Sequence, residues 1–124
     1  MKFTSTDKAP AALGPYSQAV SVNGLLFTSG QIALDPATGE IVGSDVQAQA
    51  EQVCKNLAAV LEANGLTFTD AVKTTCFLAD MGDFAAFNEV YGKYFTGKPA
   101  RSCVAVKTLA TPILCEVLGI AAMK

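Results

Sequence analysis

The stretch Ile113-Leu114-Cys115-Glu116-Val117-Leu118-Gly119-Ile120-Ala121-Ala122 decides how this chain folds. It is almost continuously apolar, yet far short of the ~20 residues that cross a bilayer. A run of this length and character reads as a strand deep in a sheet, covered on both faces. Everything upstream must supply its neighbours and its cover.

Working outward, Arg101 to Lys107 alternates and predicts another strand, opened by the helix-ending pair Lys98-Pro99. Before it, an acidic start at Asp80 or Asp83 introduces a helix with Phe84, Phe87, Tyr91 and Tyr94 on one face. Those aromatics are assigned to the core or to subunit packing. Ala71 to Leu78 reads as a strand, and Asp45 to Asn64 as a long helix. Ser44 with Gln47 offers a capping box for that helix, and Gly65 offers its stop. Val46, Ala50, Val53, Leu57 and Leu61 form its buried stripe. Nearer the start, Tyr16–Val22 and Leu25–Ser29 flank Asn23-Gly24, the strongest short signal for a type I′ hairpin. Asp35-Pro36-Ala37-Thr38-Gly39 is a surface turn. The order predicts an α+β fold: a mixed β-sheet with two helices packed on one face, in a single domain over residues 1–124.

Charged residues make up only 16% of the 124 residues, against ~25% in typical soluble domains. Mean hydropathy is +0.35. A small domain has too much surface to cover with so few charges, which predicts self-association, with a second copy covering the far face of the sheet. The net charge of −2, the scattered lysines and a single arginine argue against nucleic acid and against anionic membranes as partners. The opening MKFTSTDKAP has no signal-like apolar stretch. Cys54, Cys76, Cys103 and Cys115 lie in apolar segments without a CxxC pair, which fits reduced thiols and a cytoplasmic setting.

The chain contains no histidine. Ser-His-Asp and Cys-His nucleophile systems are therefore ruled out, and no His-based metal site is expected. No phosphate-loop or dinucleotide glycine motif occurs, so no cofactor is expected either. Two residues stand out against this background. Glu116 is the only ionisable group between Lys107 and Lys124, set in the most apolar strand. A carboxylate there must find partners or have its pKa raised, and either outcome suits proton transfer or holding a water. Arg101 is the only arginine, and its fork of donors matches a carboxylate through two parallel bonds. Alternation puts Cys103 on the same strand face as Arg101, offering a thiol or a backbone N–H. Parity alone leaves open whether Glu116 shares their cleft: a simple terminal hairpin would set it opposite Cys103, whereas a central final strand would have other neighbours.

The motifs GPYSQAV (14–20), FTSGQIALDP (27–36), FNEVYGKYF (87–95), PARSCVAV (99–106) and ILCEVLGIA (113–121) resemble the RidA (YjgF-type) family of reactive-intermediate deaminases, along essentially the whole chain. The resemblance implies a chorismate-mutase-like fold and a homotrimer with clefts between subunits. It implies cofactor-free hydrolysis of 2-iminopropanoate and 2-iminobutanoate to 2-oxo acids and ammonia. By motif position, Arg101 would hold the substrate carboxylate, helped by backbone near Cys103, and Glu116 would activate the attacking water. Tyr16, Ser29, Gly30 and Gln31 would line the pocket, with Asn88 at the subunit boundary. Rival readings are a carboxylate-sensing module, which has no need of Glu116, a chorismate mutase, which a single arginine makes awkward, and a ribonuclease, which the charge and missing histidine oppose.

Overall fold

Asn23 and Gly24 both take left-handed backbone, at φ +52° and +77°, as a type I′ turn requires. They join β2 (Ala19–Val22) to β3 (Leu25–Thr28), the hairpin read from the sequence. The computed structural model describes all residues, Met1–Lys124. It adds one short strand that the sequence reading passed over, β1 (Lys2–Thr4), paired antiparallel with β2. Strand β2 starts at Ala19, later than expected, because the buried Gln18 turns its amide to the segment before it. Its Nε2 donates to the carbonyls of Thr6 and Pro10 at 2.9 Å each, and its Oε1 accepts from Thr6 N at 2.8 Å.

The long helix α1 runs Val46–Glu62. Its cap is Asp45, whose carboxylate accepts from Ala48 N at 2.8 Å, and not the Ser44–Gln47 box. The Gln47 amide instead reaches across to Ala86 O on the second helix, 3.1 Å away. Gly65, at φ +71°, lies just beyond the end of α1, as expected of a stop. Strand β4 (Ala71–Leu78) follows, then a short turn of 3-10 helix capped by Asp80, then α2 (Phe84–Tyr94). The chain closes with β5 (Ala100–Ala105) and β6 (Cys115–Ala122).

The sheet order is β1-β2-β3-β6-β4-β5. Only β4 and β5 are parallel, joined by the α2 crossover; the other pairs are antiparallel. Strand β6 lies between β3 and β4, central as its apolar run predicts, but within the chain it is covered on one face rather than two. Both helices cover one face. Val53, Cys54 and Leu57 of α1 and Phe87 and Val90 of α2 pack with Cys76, Leu78, Cys115 and Val117 of the sheet. A second cluster joins Val60 and Leu61 to Ala19, Leu26 and Ala121. The aromatic stripe of α2 supplies Phe87 and Tyr91 to this core, with Phe84 and Tyr94 against its margin.

Only one face of β6 is covered within the chain. On the other face, Phe3, Val20, Phe27 and Ile120 line up across four strands. Phe3 is 60% exposed and Phe27 40%, and Val104 of β5 is 47% exposed.

Candidate active site

Arg101 pairs in register with Thr74 of β4, and so points to the helix-covered face. Its Nη1 donates to Asn88 Oδ1 at 2.7 Å. The guanidinium carbon sits 4.7 Å from the centre of the Tyr91 ring and 5.5 Å from that of Phe84, within cation–π range. Tyr91 is itself fixed: its hydroxyl shares a 2.6 Å hydrogen bond with the buried Thr74, and its ring stacks on Phe95 at 4.4 Å. The fork is thus aimed by one neutral amide and two rings, and no carboxylate pairs with it. Its remaining donors are available to a ligand. Arg101 and Asn88 border an open cleft of about 570 Å³ between α2 and the start of β5, where Tyr91, Phe95 and Lys98 also line the wall.

Cys103 pairs with Cys76 on the same sheet face. Burial raises its thiol pKa, outweighing the nearby Arg101 guanidinium. A protonated thiol is a poor nucleophile, which leaves the backbone N–H as the useful group at this position.

Glu116 pairs with Phe77 and points to the opposite face. Burial raises its pKa above the usual carboxylate value, and no hydrogen-bond donor or cation holds it. Gly30 lies hard against it. A Cβ built on Gly30 would come within 2.2 Å of Glu116 Oε2, so any larger residue here would push the carboxylate out of its present position. Neighbouring Gln31 is anchored to β6 by a reciprocal pair of backbone bonds with Val117, at 2.8 and 3.1 Å. Tyr16, Gln18, Gly30, Gln31 and Glu116 border a pocket of about 230 Å³. Ser29 is not part of this wall. Its hydroxyl donates to Ser17 O at 2.5 Å and ties the hairpin together.

The residues named from the sequence therefore fall into two groups. Arg101 and Asn88 share one cleft, with Cys103 beside Arg101 on its strand; Tyr16, Gly30, Gln31 and Glu116 share another pocket. Strand β4 separates β5 from β6, so the simple terminal hairpin that would set Glu116 opposite Cys103 is not formed. Sequence reasoning missed the role of Tyr91 and Phe84 beneath the guanidinium, because their helical spacing is equally that of a core stripe. It also missed Gln18, whose buried amide shapes the second pocket; a lone glutamine in an apolar strand carries little signal on its own.

Known proteins match this arrangement along its length. Residues 6–123 match the family model described as Endoribonuclease L-PSP. A RutC family protein of Synechocystis is 53% identical over 120 residues, covering 94% of this chain and 92% of that protein. The mouse protein named 2-iminobutanoate/2-iminopropanoate deaminase is 48% identical, covering 97% of this chain and 90% of its own. The crystal structure of the YjgF gene product of E. coli superposes with a TM-score of 0.93 at 44% identity, covering 100% of both chains. With the fold, the motifs and these relatives in agreement, the chain belongs to the RidA (YjgF) family.

Proposed function

We propose that this protein is a cofactor-free hydrolytic deaminase, converting 2-imino acids such as 2-iminopropanoate and 2-iminobutanoate to 2-oxo acids and ammonia. One observation carries the reading: the only arginine is oriented by Asn88 and Tyr91 with no acidic partner, so its fork is free for a substrate carboxylate. The name of the mouse relative supports the same chemistry.

Arg101 binds the carboxylate of the imino acid. Glu116, unpaired and with a raised pKa, takes a proton from a water that adds to the C=N carbon. Glu116 returns that proton to the nitrogen, and the tetrahedral adduct then passes its hydroxyl proton to the same nitrogen through the carboxylate as it expels ammonia and leaves the 2-oxo acid. An imine is already electrophilic, so alignment of substrate, water and one base supplies most of what the reaction needs.

The two groups face away from each other in one chain, so the reading places each working site between two copies, with Arg101 from one and Glu116 from its neighbour. The uncovered apolar face, with Phe27 and Val104 exposed, supports such an assembly, and a closed homotrimer is the arrangement we propose.

The test couples the protein to a pyridoxal-phosphate threonine dehydratase and follows 2-oxobutanoate formation while semicarbazide competes for free imine. Arg101→Lys keeps the charge but removes the fork, and should lower kcat/KM by about 100-fold, as expected for a charged bidentate contact. Acceleration that survives intact in Arg101→Lys would sink the reading.

A further inference from the structure

Lys98 lines the same cleft as Arg101, and no aspartate or glutamate borders it. The chain's two ion pairs, Lys93–Glu51 and Lys124–Asp70, leave Lys98 without an acidic partner. In a protein of net charge −2, this cleft therefore carries two cations and no compensating acid. The Lys98 backbone is also unusual. It holds φ +52°, a left-handed conformation that favours glycine, immediately before Pro99. Left-handed backbone in a non-glycine residue is uncommon and clusters at ligand-binding walls; here it closes the turn from Lys98 N to Phe95 O, 3.2 Å away, at the rim of the cleft.

A second feature points the same way. Gly92 stands inside α2, where glycine is among the worst helix formers. Packing does not demand it, since a Cβ there would meet nothing within 4 Å. Gly92 also lines the cleft, so the missing side chain leaves room between the two cations' walls and α2.

We infer that this cleft is a second anion subsite, and that the preferred substrates are 2-imino dicarboxylic acids. The carboxylate next to the imine sits on Arg101, and the distal carboxylate is received by Lys98. This rests on the proposed role of Arg101 and adds a substrate class to it.

The experiment is calorimetric titration of the assembled protein with two stable product acids, 2-oxoglutarate and 2-oxobutanoate. The dicarboxylate should bind about five-fold tighter, as one solvent-exposed ion pair allows, and the advantage should shrink with added NaCl. Lys98→Gln should bring the affinity ratio close to one. Lys98→Gly removes the charge while relieving the strained backbone, and should do the same even if glutamine disturbs the turn. Gly92→Val should penalise the longer diacid more than the short acid. A ratio near one in the parent protein, or a ratio unchanged in both Lys98 variants, overturns the subsite while leaving Arg101 standing. If neither acid binds, or if Arg101→Lys binds 2-oxobutanoate as well as the parent, the underlying reading falls with it.

Discussion

Arg101 and Glu116 point to opposite faces of one sheet, from strands that do not touch: β5 and β6 are each paired with β4, which runs between them. If a site needs both groups, they must come from different copies. Mixing two inactive variants then tests the arrangement directly. Arg101→Lys and Glu116→Gln, each nearly inactive alone, should regain activity when unfolded and refolded together. Random assembly of equal amounts restores about a quarter of the sites in a closed ring. Mixed oligomers with no recovered deaminase activity would rule out a shared site.

Gly30 tests the wall around the base. Gly30→Ala places a methyl where the Glu116 carboxylate now sits. The flexible side chain can swing away without unfolding the protein, but the water it activates in the proposed mechanism would move with it. Turnover should fall by about 100-fold, as expected for a misplacement of this order, with little change in melting temperature. Full turnover in Gly30→Ala would show that this contact does not matter.

Asn88 aims the guanidinium from the other side. Asn88→Ala removes the acceptor of a charged hydrogen bond, which is worth about 1.5–3 kcal/mol. Substrate binding should weaken by about ten-fold or more, raising KM before lowering kcat. Tyr91→Phe keeps the ring beneath Arg101 but strands the buried Thr74 hydroxyl, and should cost about 1–2 kcal/mol in urea unfolding while largely sparing activity. An unchanged KM in Asn88→Ala would contradict the aiming role.

Glu116 predicts a pH signature with a definite sign. Its pKa is raised above the ordinary 4.5 by burial, so the acid limb of kcat/KM should lie above the usual carboxylate range. The folded state then binds this proton more tightly than the unfolded chain. Below the ordinary value the group has no effect on stability; as pH rises through the raised value, stability is lost. Glu116→Gln should therefore be inactive yet more stable than the parent at neutral pH, with the difference vanishing in acid. Thermal melts of both proteins across pH 3–8 check this, and a variant less stable at neutral pH would refute it.

Asn56 is a structural counterpart to these. It is buried on α1, and its Nδ2 donates to Ile32 O at 3.0 Å and Leu34 O at 2.9 Å, holding the segment after Gly30. Asn56→Leu removes both bonds and the one that Asn56 Oδ1 accepts from Gln52 Nε2 at 2.9 Å, while Ile32 O keeps Leu34 N and Leu34 O keeps Gln52 Nε2; it should destabilise the fold by about 1–3 kcal/mol in denaturant titration. A loss below 0.5 kcal/mol would mean that water replaces the amide.

Much of this fold is written locally. The Asn23-Gly24 turn, the α1 stripe and the apolar run of β6 each satisfy a short-range rule, and each forms where that rule predicts. The capping of α1 was misread because Ser44 and Asp45 are both good caps, and only the backbone path chooses between them. β1 was missed because three residues carry no period. At the site, Arg101 and Glu116 were visible because each breaks its surroundings: a lone guanidinium, and a carboxylate among aliphatics. Their separation was invisible because it depends on β4 lying between β5 and β6, a long-range pairing that no local pattern encodes. Gly30 shows the same limit, since nothing in its neighbours reveals that a carboxylate from 86 positions later presses against it.

The two borders of the sheet are unequal. One ends in β1, only three residues long, while the other ends in β5, six residues with nothing of the same chain beyond it. A bare border of that length is a template on which another chain can lay down backbone, and a three-residue one is not. Ordered aggregation of partly unfolded material should therefore grow outward from the Ala100–Ala105 side, and a proline placed in that strand is the change that would starve it.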